Sequence, residues 1–447
     1  MKRPLSLRIR VIVSLILYMP IIGFTYLVVW LDRKLRFPLP FPRDVEQLSE
    51  RKDWLINQLK QTKALPADAV VESCNVRALN QTIIFRSNAG IVEINYTEGN
   101  EKKVLKCFAK FAPTMGSIWN RTIFNLQLNH IKEGWFNQYF VNQDPAVPAP
   151  RVYCSMVSVI TGNLCLITEH MGDDIEYHDY PYDNFNQEHL DMALDGLASL
   201  HAQYWGDTSA RMKHVMPIED TSVYIFDMMV ARSWSMPARE VLVQSWIKMN
   251  QPETILHGDS RIGNMMFPSA PGIGRYVLID WQAARKGKAA FDVAYFLVLS
   301  LMTTHRHELE RPAVDTYYRM LIAKGVKGYS REQLEDDYRH GCLCTLVLLS
   351  LPMLSGEVSA DGEAALLFAF GMGIWRERLR QYFLDFDYVW MSKQYSLSET
   401  ECLAAIAEMI QVIDDRLNGV LKAAGSSETV IDVLRRSNLA NEFFIDN

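Results

Sequence analysis

The stretch "ILHGDSRIGNMMF" occupies residues 255–267, and "YVLIDWQAARKG" follows it at residues 276–287. The first stretch contains His-Gly-Asp, whose carboxylate is Asp259, and places Asn264 five residues later. The second places Asp280 directly after a short apolar run that is typical of a strand. Carboxylate and amide oxygens on tight loops can orient a hydroxyl group and bind Mg²⁺. The two stretches therefore predict one polar site.

Each of the three side chains fits a different part in phosphoryl transfer from ATP. That reaction needs a carboxylate that orients and deprotonates the acceptor hydroxyl, and oxygen ligands for the Mg²⁺ that bridges the phosphates. Asp259 fits the catalytic base, and Asn264 and Asp280 fit the metal ligands. Either aspartate alone would fit a turn or a strand end equally well. The combination with Asn264 favours the site.

The pattern resembles the catalytic and metal-binding motifs of the kinase-like superfamily, with His-Gly-Asp in place of His-Arg-Asp and Asp-Trp-Gln in place of Asp-Phe-Gly. This variant is typical of the aminoglycoside phosphotransferase and choline kinase branch, and the chain looks closest to the ecdysteroid kinase-like (CHK kinase-like) family. Other stretches carry the same resemblance, namely "LASLHAQYW" at residues 197–205, "FDVAYFL" at residues 291–297 and "YYRMLIAKGVKGYSREQLEDDYRHG" at residues 317–341. The resemblance implies an α+β, two-lobe protein kinase-like fold, with an antiparallel-sheet N-lobe and a mostly helical C-lobe. It also implies ATP and Mg²⁺ as cofactors and a small-molecule hydroxyl group as acceptor.

In the second lobe the resemblance gives His257, Arg261 and Gln282 supporting positions. His257 would hold the catalytic loop by hydrogen bonding instead of acting as a base. Asp292 opens the "DVAYFL" helix, where we expect it to be the N-cap residue. His201 lies within an apolar helical pattern, which favours a hydrogen-bonded core histidine.

In the first lobe the resemblance implies a phosphate-binding lysine and a glutamate that orients it. Lys106 and Lys110 both lie in "KVLKCFAKFAP", and their even separation puts them on one face of a strand. The spacing leaves both open, while the position just before "FAP" favours Lys110 by resemblance. Its partner would be Glu133, with Phe136 three residues later and an unusual helical glycine, Gly134, beside it.

Two nucleotide-contacting segments are expected by the same resemblance. The chain has no Gly-x-Gly-x-x-Gly, so "SNAG", with Ser87, Asn88 and Gly90, would form the turn that cradles the phosphates with backbone N–H groups. Residues 169–171, from Glu169 to Met171, would present backbone groups to adenine as the hinge.

The amino-terminal segment differs from the rest of the chain. Residues 11–31 form an uncharged run, and this run is long enough for a helix that crosses a hydrocarbon core. The basic residues that follow argue against a cleavable signal peptide. We expect an uncleaved membrane anchor and, because ATP is cytoplasmic, a single-pass protein whose catalytic domain faces the cytoplasm.

Composition limits the classes of partner and the state of the cysteines. The 447 residues carry a net charge of −6 without a basic stretch in the body, so we expect no nucleic-acid partner, and no protein partner is evident. Seven scattered cysteines favour buried, reduced thiols. The pattern predicts an anchor and proline-rich linker at residues 1–43, an N-lobe at residues 44–170 with a β-meander, and a helical C-lobe at residues 171–447.

Alternative functions stay open at this stage. The acceptor is expected to be a lipophilic alcohol or sterol, because an anchor would raise the enzyme concentration at a membrane. A cationic acceptor of the aminoglycoside or choline type is the second possibility, and a catalytically silent, nucleotide-binding membrane scaffold is the third. A protein kinase is disfavoured because no Ala-Pro-Glu follows "DWQ".

Overall fold

Two compact units make up the chain, and a computed structural model gives their elements. The first unit comprises residues 1–145, 149–174 and 281–283, and the second comprises residues 146–148, 175–280 and 284–447. The structure describes residues 5–79, 88–113, 117–126, 128–141, 143–144, 146–172, 175–177, 186–215, 235–249, 251, 253–270, 272, 274–354 and 362–437. The side chains of residues 5–18, 120, 123–124, 177, 236, 347–354, 362–365 and 367 lie outside this description.

The first unit combines helices with an antiparallel sheet. Its elements are α1 (Leu5–Leu35), α2 (Val45–Glu50), α3 (Lys52–Gln61), β1 (Val70–Ala78), β2 (Asn88–Glu98), β3 (Glu101–Phe111), α4 (Ile118–Leu126), α5 (Asn129–Phe136), β4 (Val152–Val157) and β5 (Leu164–Glu169). The five strands are hydrogen-bonded in the order β1-β2-β3-β5-β4, and every neighbouring pair is antiparallel. Within residues 82–113, where a meander was predicted, β2 and β3 form an antiparallel hairpin with its turn near Gly99. The first predicted strand falls on residues outside the described part of the chain, and β1 precedes the predicted segment.

The apolar spacing of residues 44–62 predicts one amphipathic helix with Asp44 as its N-cap, whereas the structure forms two helices there. Asp44 is the N-cap of α2, and its side chain accepts the Gln47 N–H at 2.8 Å. Arg51 then leaves helical geometry, with φ −108° and ψ 43°, and separates α2 from α3. Leu48 and Leu55, one on each helix, are fully buried in the apolar core that the helices share with the sheet.

The last turns of α1 pack on the first unit. Val28 and Val29 are buried, and Arg43 forms two hydrogen bonds of 2.9 Å with the carboxylate of Asp32. Of the predicted span, residues 11–18 have side chains outside the described part of the chain. Among the residues that are described, no helix is both long and apolar enough to cross a membrane.

The second unit is mostly helical, with short strands between the helices. Its elements are β6 (Ile175–Tyr177), α6 (Gln187–Gln203), α7 (Met236–Met249), β7 (Thr254–Leu256), β8 (Met265–Pro268), β9 (Val277–Leu278), β10 (Arg285–Gly287), α8 (Ala290–Ser300), α9 (Thr303–Ala323), α10 (Arg331–Leu354), α11 (Gly362–Leu384), α12 (Tyr388–Tyr395), α13 (Glu399–Ala423) and α14 (Val430–Arg435). All residues of α8 are buried, so this helix is the centre of the unit's core. The predicted α+β class, with an antiparallel sheet and a helical part, is confirmed.

The seven cysteines are all buried and none forms a disulfide. Burial raises the pKa of the Cys107 and Cys154 thiols to about 12. These residues therefore act as small apolar side chains, as their scattered positions predicted.

Candidate active site

The stretch around His257 forms a loop between two short strands of the second unit. β7 ends at Leu256 and pairs with β10, and a 3₁₀ turn from Ile262 to Asn264 leads into β8. Gly258 has φ +81°, a backbone conformation that residues with a Cβ rarely adopt. The glycine of His-Gly-Asp is therefore required by the path of the loop.

Asp292 on the buried helix α8 holds this loop by its backbone. Its carboxylate accepts the His257 N–H at 2.6 Å and the Gly258 N–H at 2.9 Å. The Ser260 hydroxyl donates to the Asp292 carbonyl at 2.8 Å. The prediction that Asp292 is an N-cap was wrong, because Ala289 occupies the cap position and Asp292 lies inside the helix, where it faces the loop.

The Asp292 carboxylate stays ionised in a site without solvent. Burial would raise its pKa, but the hydrogen bond and charge of His201 together with the Gly258 N–H outweigh burial and lower the pKa below its ordinary value. His201 is itself fully buried, with Nε2 3.2 Å from Asp292 Oδ2 and Nδ1 2.7 Å from the Tyr317 hydroxyl oxygen. His201 is thus a hydrogen-bonded core histidine, as predicted, and it supports Asp292.

The hydrogen bonds of His257 define which ring nitrogen carries its proton. Nε2 lies 2.9 Å from the Ile279 carbonyl oxygen, which can only accept, while Nδ1 accepts the Asp259 N–H at 3.3 Å. A proton on Nε2 satisfies both contacts. The ring therefore joins the catalytic loop to the end of the segment that leads to Asp280, which fits a supporting part.

Asn264 orients the carboxylate of Asp259. Its amide nitrogen donates to the Asp259 carbonyl at 2.7 Å and to Asp259 Oδ2 at 2.9 Å. With both amide hydrogens used, Oδ1 of Asn264 is the atom that could ligate a cation. Asn264 is buried, so this orientation is set by its surroundings.

Arg261 lies against the other oxygen of the same carboxylate. Its Nε is 3.3 Å from Asp259 Oδ1, and its guanidinium lies over the ring of Trp375 on α11 at 5.6 Å. The two carboxylate oxygens therefore face an amide on one side and a cation on the other. The sequence indicated that Arg261 supports the loop. It did not indicate Trp375, because the two residues are far apart in the chain and no local motif links them.

Asp280 lies just after strand β9, and Asn264 lies just before strand β8, which pairs with β9. Met265 pairs with Leu278, and the Ile279 N–H donates to the Asn264 carbonyl at 2.9 Å. The pairing therefore brings the two predicted metal ligands to the same edge of this small sheet. Asp280 has φ +67°, which for a residue with a Cβ costs about 1 kcal/mol or more and is typical of functional sites.

In the first unit, Lys110 on β3 forms an ion pair with Glu133 on α5. The Nζ–Oε1 distance is 2.7 Å, and the glutamate side chain is 2% exposed. His130 Nδ1 lies 3.8 Å from the other carboxylate oxygen, but burial lowers the pKa of His130, so the charge opposite Glu133 is that of Lys110. Lys106 is exposed on the same strand.

Trp281 is a residue that sequence reasoning missed. It is buried in the first unit and stacks on Phe136 of α5, with ring centroids 4.3 Å apart and planes at 16°. Phe136 lies three residues after Glu133, so the stack anchors the helix that carries the lysine's partner. The aromatic residue directly after Asp280 was the signal available in the sequence. Gln282 lies beside it in a 3₁₀ turn, Trp281–Ala283.

Gly134, the unusual helical glycine, is explained by close packing of α5 on β4. A Cβ at this position would lie 3.0 Å from Val157 Cβ, and the Gly134 carbonyl accepts the Ser155 hydroxyl at 2.9 Å. The helix can approach the strand this closely because the side chain is missing.

The predicted phosphate-cradling turn was placed wrongly. Asn88 and Gly90 belong to β2, where they pair with Phe111 and Ala109 of β3, so they do not form a turn. Gly90 permits close packing, because a Cβ there would lie 2.8 Å from the Arg77 carbonyl oxygen. Ser87 lies outside the described residues.

Residues 169–171 follow β5, where the hinge was predicted. The Glu169 N–H donates to the Arg151 carbonyl at 2.9 Å, and the Glu169 carboxylate accepts the Arg151 N–H at 2.8 Å. The His170 N–H donates to the Lys106 carbonyl at 3.3 Å. Among the described residues, Met171 makes no backbone hydrogen bond, so of the three it is best placed to bind a ligand through its backbone.

Comparison with known proteins addresses the segment that carries the catalytic loop. Residues 235–327 match the ecdysteroid kinase-like family. The match confirms the resemblance over this segment, which includes the loop with Asp259 and Asn264, Asp280 and the helix of Asp292. The sequence matches no curated protein.

Several solved structures resemble the chain weakly. A Plasmodium vivax ethanolamine kinase has a TM-score of 0.43 and 13% identity, over 78% of this chain and 96% of that one. The choline kinase LicA from Streptococcus pneumoniae has a TM-score of 0.41 and 11% identity, over 74% of this chain and 98% of that one. A choline/ethanolamine kinase family protein from Mesorhizobium loti has a TM-score of 0.39 and 10% identity, over 80% of this chain and 98% of that one. Likeness at this level carries no argument about function.

Proposed function

We propose that the protein is an ATP-dependent phosphotransferase that transfers the γ-phosphoryl group to a hydroxyl of a small molecule. The observation that carries the proposal is the contact of Asn264 with Asp259. The contact brings together a carboxylate that can act as base and an amide whose oxygen is left for a cation, two of the groups that this chemistry uses. The ecdysteroid kinase-like match over the same loop supports it.

Asp259 is the catalytic base in this proposal. It accepts the proton of the acceptor hydroxyl while the hydroxyl oxygen bonds to the γ-phosphorus and the bond from that phosphorus to ADP breaks. Arg261 and Asn264 hold the two carboxylate oxygens, so Asp259 enters the reaction already oriented. Asn264 and Asp280 would hold Mg²⁺, which neutralises phosphate charge when bound.

The first unit carries the nucleotide-binding residues. Lys110, held by the buried carboxylate of Glu133, presents a cation to the phosphates without the entropy loss of ordering a mobile side chain. The backbone of Met171 binds adenine. Asn88, Gly90 and Glu169 have no such role in this proposal, since the first two lie in a strand and Glu169 binds Arg151.

For the acceptor and the location we keep the sequence-based hypothesis. The acceptor is a lipophilic alcohol or sterol, the protein is membrane-bound, and its catalytic residues face the cytoplasm, where ATP is available. The uncharged run at residues 11–31 supports this choice over a cationic acceptor. A silent scaffold is the alternative outcome of the tests below.

Mg²⁺-dependent ATP binding by the full chain tests the nucleotide site first. Thermal unfolding is followed with ATP, with and without Mg²⁺, for the wild type, for Asp280→Ala and for Asp195→Ala, an exposed aspartate on α6, as control. At a ligand concentration of 100 Kd, binding stabilises the fold by about 2.7 kcal/mol. We expect a shift that needs Mg²⁺, that Asp280→Ala loses and that Asp195→Ala keeps.

Phosphoryl transfer is then measured as ADP release with sterols, long-chain alcohols, choline and aminoglycosides. Acceptor-dependent ADP release that Asp259→Asn abolishes supports the enzyme. Mg-ATP binding without transfer to any acceptor class would favour the scaffold, and the absence of a thermal shift in folded protein would refute the nucleotide site.

A further inference from the structure

Exposed apolar side chains gather on three neighbouring elements of the first unit. Eighteen large apolar side chains are exposed among the described residues, and ten of them lie on α1, on α4 or in the turn between β4 and β5. Those outside α1 are Trp119 on α4, 51% exposed, and Val159 and Ile160 in the turn, 58% and 68% exposed. Scattered exposed apolar residues are ordinary, whereas a cluster marks an interaction surface.

The three elements are connected by specific contacts. Tyr26 of α1 and Trp119 of α4 have ring centroids 6.5 Å apart. Arg121 of α4 donates to the Gly162 carbonyl in the turn at 3.0 Å. Asn163 at the end of the turn donates to the Asp32 carboxylate of α1 at 3.2 Å. The apolar residues therefore belong to one surface, which we call the apolar patch and define as Tyr26, Trp30, Trp119, Val159 and Ile160.

The end of α1 is firmly attached to this unit. Asp32 accepts two hydrogen bonds of 2.9 Å from Arg43, and both side chains are largely buried. Phe41, in the segment predicted to be a linker, is also buried in the core of the unit. Because the end of α1 is fixed to the first unit, the orientation of α1 also sets the orientation of the apolar patch.

We propose that the apolar patch binds the surface of an anionic lipid bilayer. Three observations favour a bilayer as the occupant. The chain upstream of the patch is the uncharged run that begins at residue 11. The patch contains two tryptophans and a tyrosine, residues that concentrate at the membrane interface. Exposed Arg33, Lys34 and Arg36 follow at the end of α1 and match the charge of anionic headgroups.

A second copy of the chain fits less well. In a symmetric dimer the same patch contacts itself, which would bring two of these basic clusters near each other. An anionic bilayer removes that repulsion. The proposal concerns the first unit and does not depend on the phosphotransferase activity.

Fluorescence of single labelled positions tests the proposal on the full chain. An environment-sensitive, thiol-reactive dye is attached to Ile160→Cys and, separately, to Trp119→Cys. Because all seven native cysteines are buried, the introduced thiol is the accessible one. The control is Val104→Cys, which is 56% exposed on the same unit. Cys165, just after the turn, pairs with Phe111 at one end of β3. Val104 lies seven residues from Phe111 on the same strand, which is about 23 Å from that end.

With vesicles of phosphatidylcholine and phosphatidylserine, we expect dye emission at residues 160 and 119 to shift to the blue and rise several-fold. Nitroxide-labelled lipids should quench it, while the dye at residue 104 stays unchanged. Vesicle-bound protein without any change at residues 160 and 119 would refute the proposal. A change that requires no lipid and grows with protein concentration would overturn it in favour of a second copy.

A charge-reversal variant tests whether the basic residues at the end of α1 contribute to binding of anionic lipid. Lys34→Glu with Arg36→Glu should weaken the phosphatidylserine-dependent signal by about fivefold or more per residue, and added salt should do the same. The control pair Lys102→Glu and Lys103→Glu changes exposed lysines at the other end of β3 and should leave the signal unchanged. Equal loss in both pairs would contradict a specific basic cluster. Mg-ATP binding by each variant shows separately whether the nucleotide site is intact.

Discussion

Replacing Asp292 by asparagine tests whether α8 sets the geometry of the catalytic loop. The carboxylate accepts two backbone N–H groups of the loop and one histidine nitrogen, and the residue is fully buried. Asparagine keeps the shape but turns one acceptor oxygen into a donor, so at least one buried N–H loses its partner. An unsatisfied buried donor costs about 1–3 kcal/mol, and hydrogen bonds to a charged group are worth about 1.5–3 kcal/mol. We expect a local loss of about 2–4 kcal/mol.

Amide hydrogen exchange measures this loss where it occurs. Two kcal/mol corresponds to about 30-fold in an opening equilibrium, so the His257 and Gly258 amides of Asp292→Asn should exchange at least about 30-fold faster than in the wild type. The matched control is Asp195→Asn, a half-exposed residue of α6 whose ion pair with Lys324 should contribute about 1 kcal/mol or less. Exchange at the loop that changes by less than about threefold in Asp292→Asn would refute the assigned function of Asp292.

The same variant carries a pH dependence of known sign. The folded pKa of Asp292 lies below its ordinary value, so the carboxylate stabilises the fold at pH values above the unfolded pKa of about 4. That contribution is lost as the pH falls through the folded pKa. Asparagine does not titrate, so urea unfolding should show the largest difference between wild type and variant near neutral pH and a smaller one below about pH 4. A difference that grows on acidification would contradict the lowered pKa.

Three further predictions follow from the ion pair, the base and the aromatic stack. Lys110→Met should weaken Mg-ATP binding at least about tenfold in calorimetry, because it removes a charge held near the phosphates, while Lys106→Met should change it less than about twofold; equal losses would contradict the choice of lysine. Asp259→Asn should lower acceptor-dependent turnover by about 10²–10⁴ with nearly unchanged ATP affinity, and a parallel loss of affinity would indicate a binding residue instead of a base. Trp281→Ala should cost about 3–5 kcal/mol in urea unfolding and Trp281→Phe clearly less, since the phenyl ring can keep the stack on Phe136; similar losses would speak against stacking.

Short-range features of this protein were predictable from its sequence. Asn264 lies five residues from Asp259, and a loop of that length can close only in a few ways, so the spacing placed both residues at one site, although the hydrogen bond between them was not predicted. The Asp44 cap and the β2–β3 hairpin likewise follow from neighbouring residues. The turn at Ser87 to Gly90 was misjudged for a related reason. A glycine in a polar stretch indicates a turn, but Gly90 serves close strand packing instead.

The remaining features depend on contacts between residues far apart in the chain. Lys106 and Lys110 lie on one strand face, and only the packing of α5 puts Glu133 beside Lys110. Asp292 has the sequence context of a helix cap. In the structure α8 is buried on every side, and the Asp292 carboxylate instead accepts the N–H of Gly258, 34 residues earlier in the chain. The sequence alone thus determined which reactive groups the catalytic loop carries, because Asp259 and Asn264 lie only five residues apart. Tertiary structure decided which lysine is paired, what supports the loop and how α1 attaches, because these rest on burial and on partners that no local pattern records.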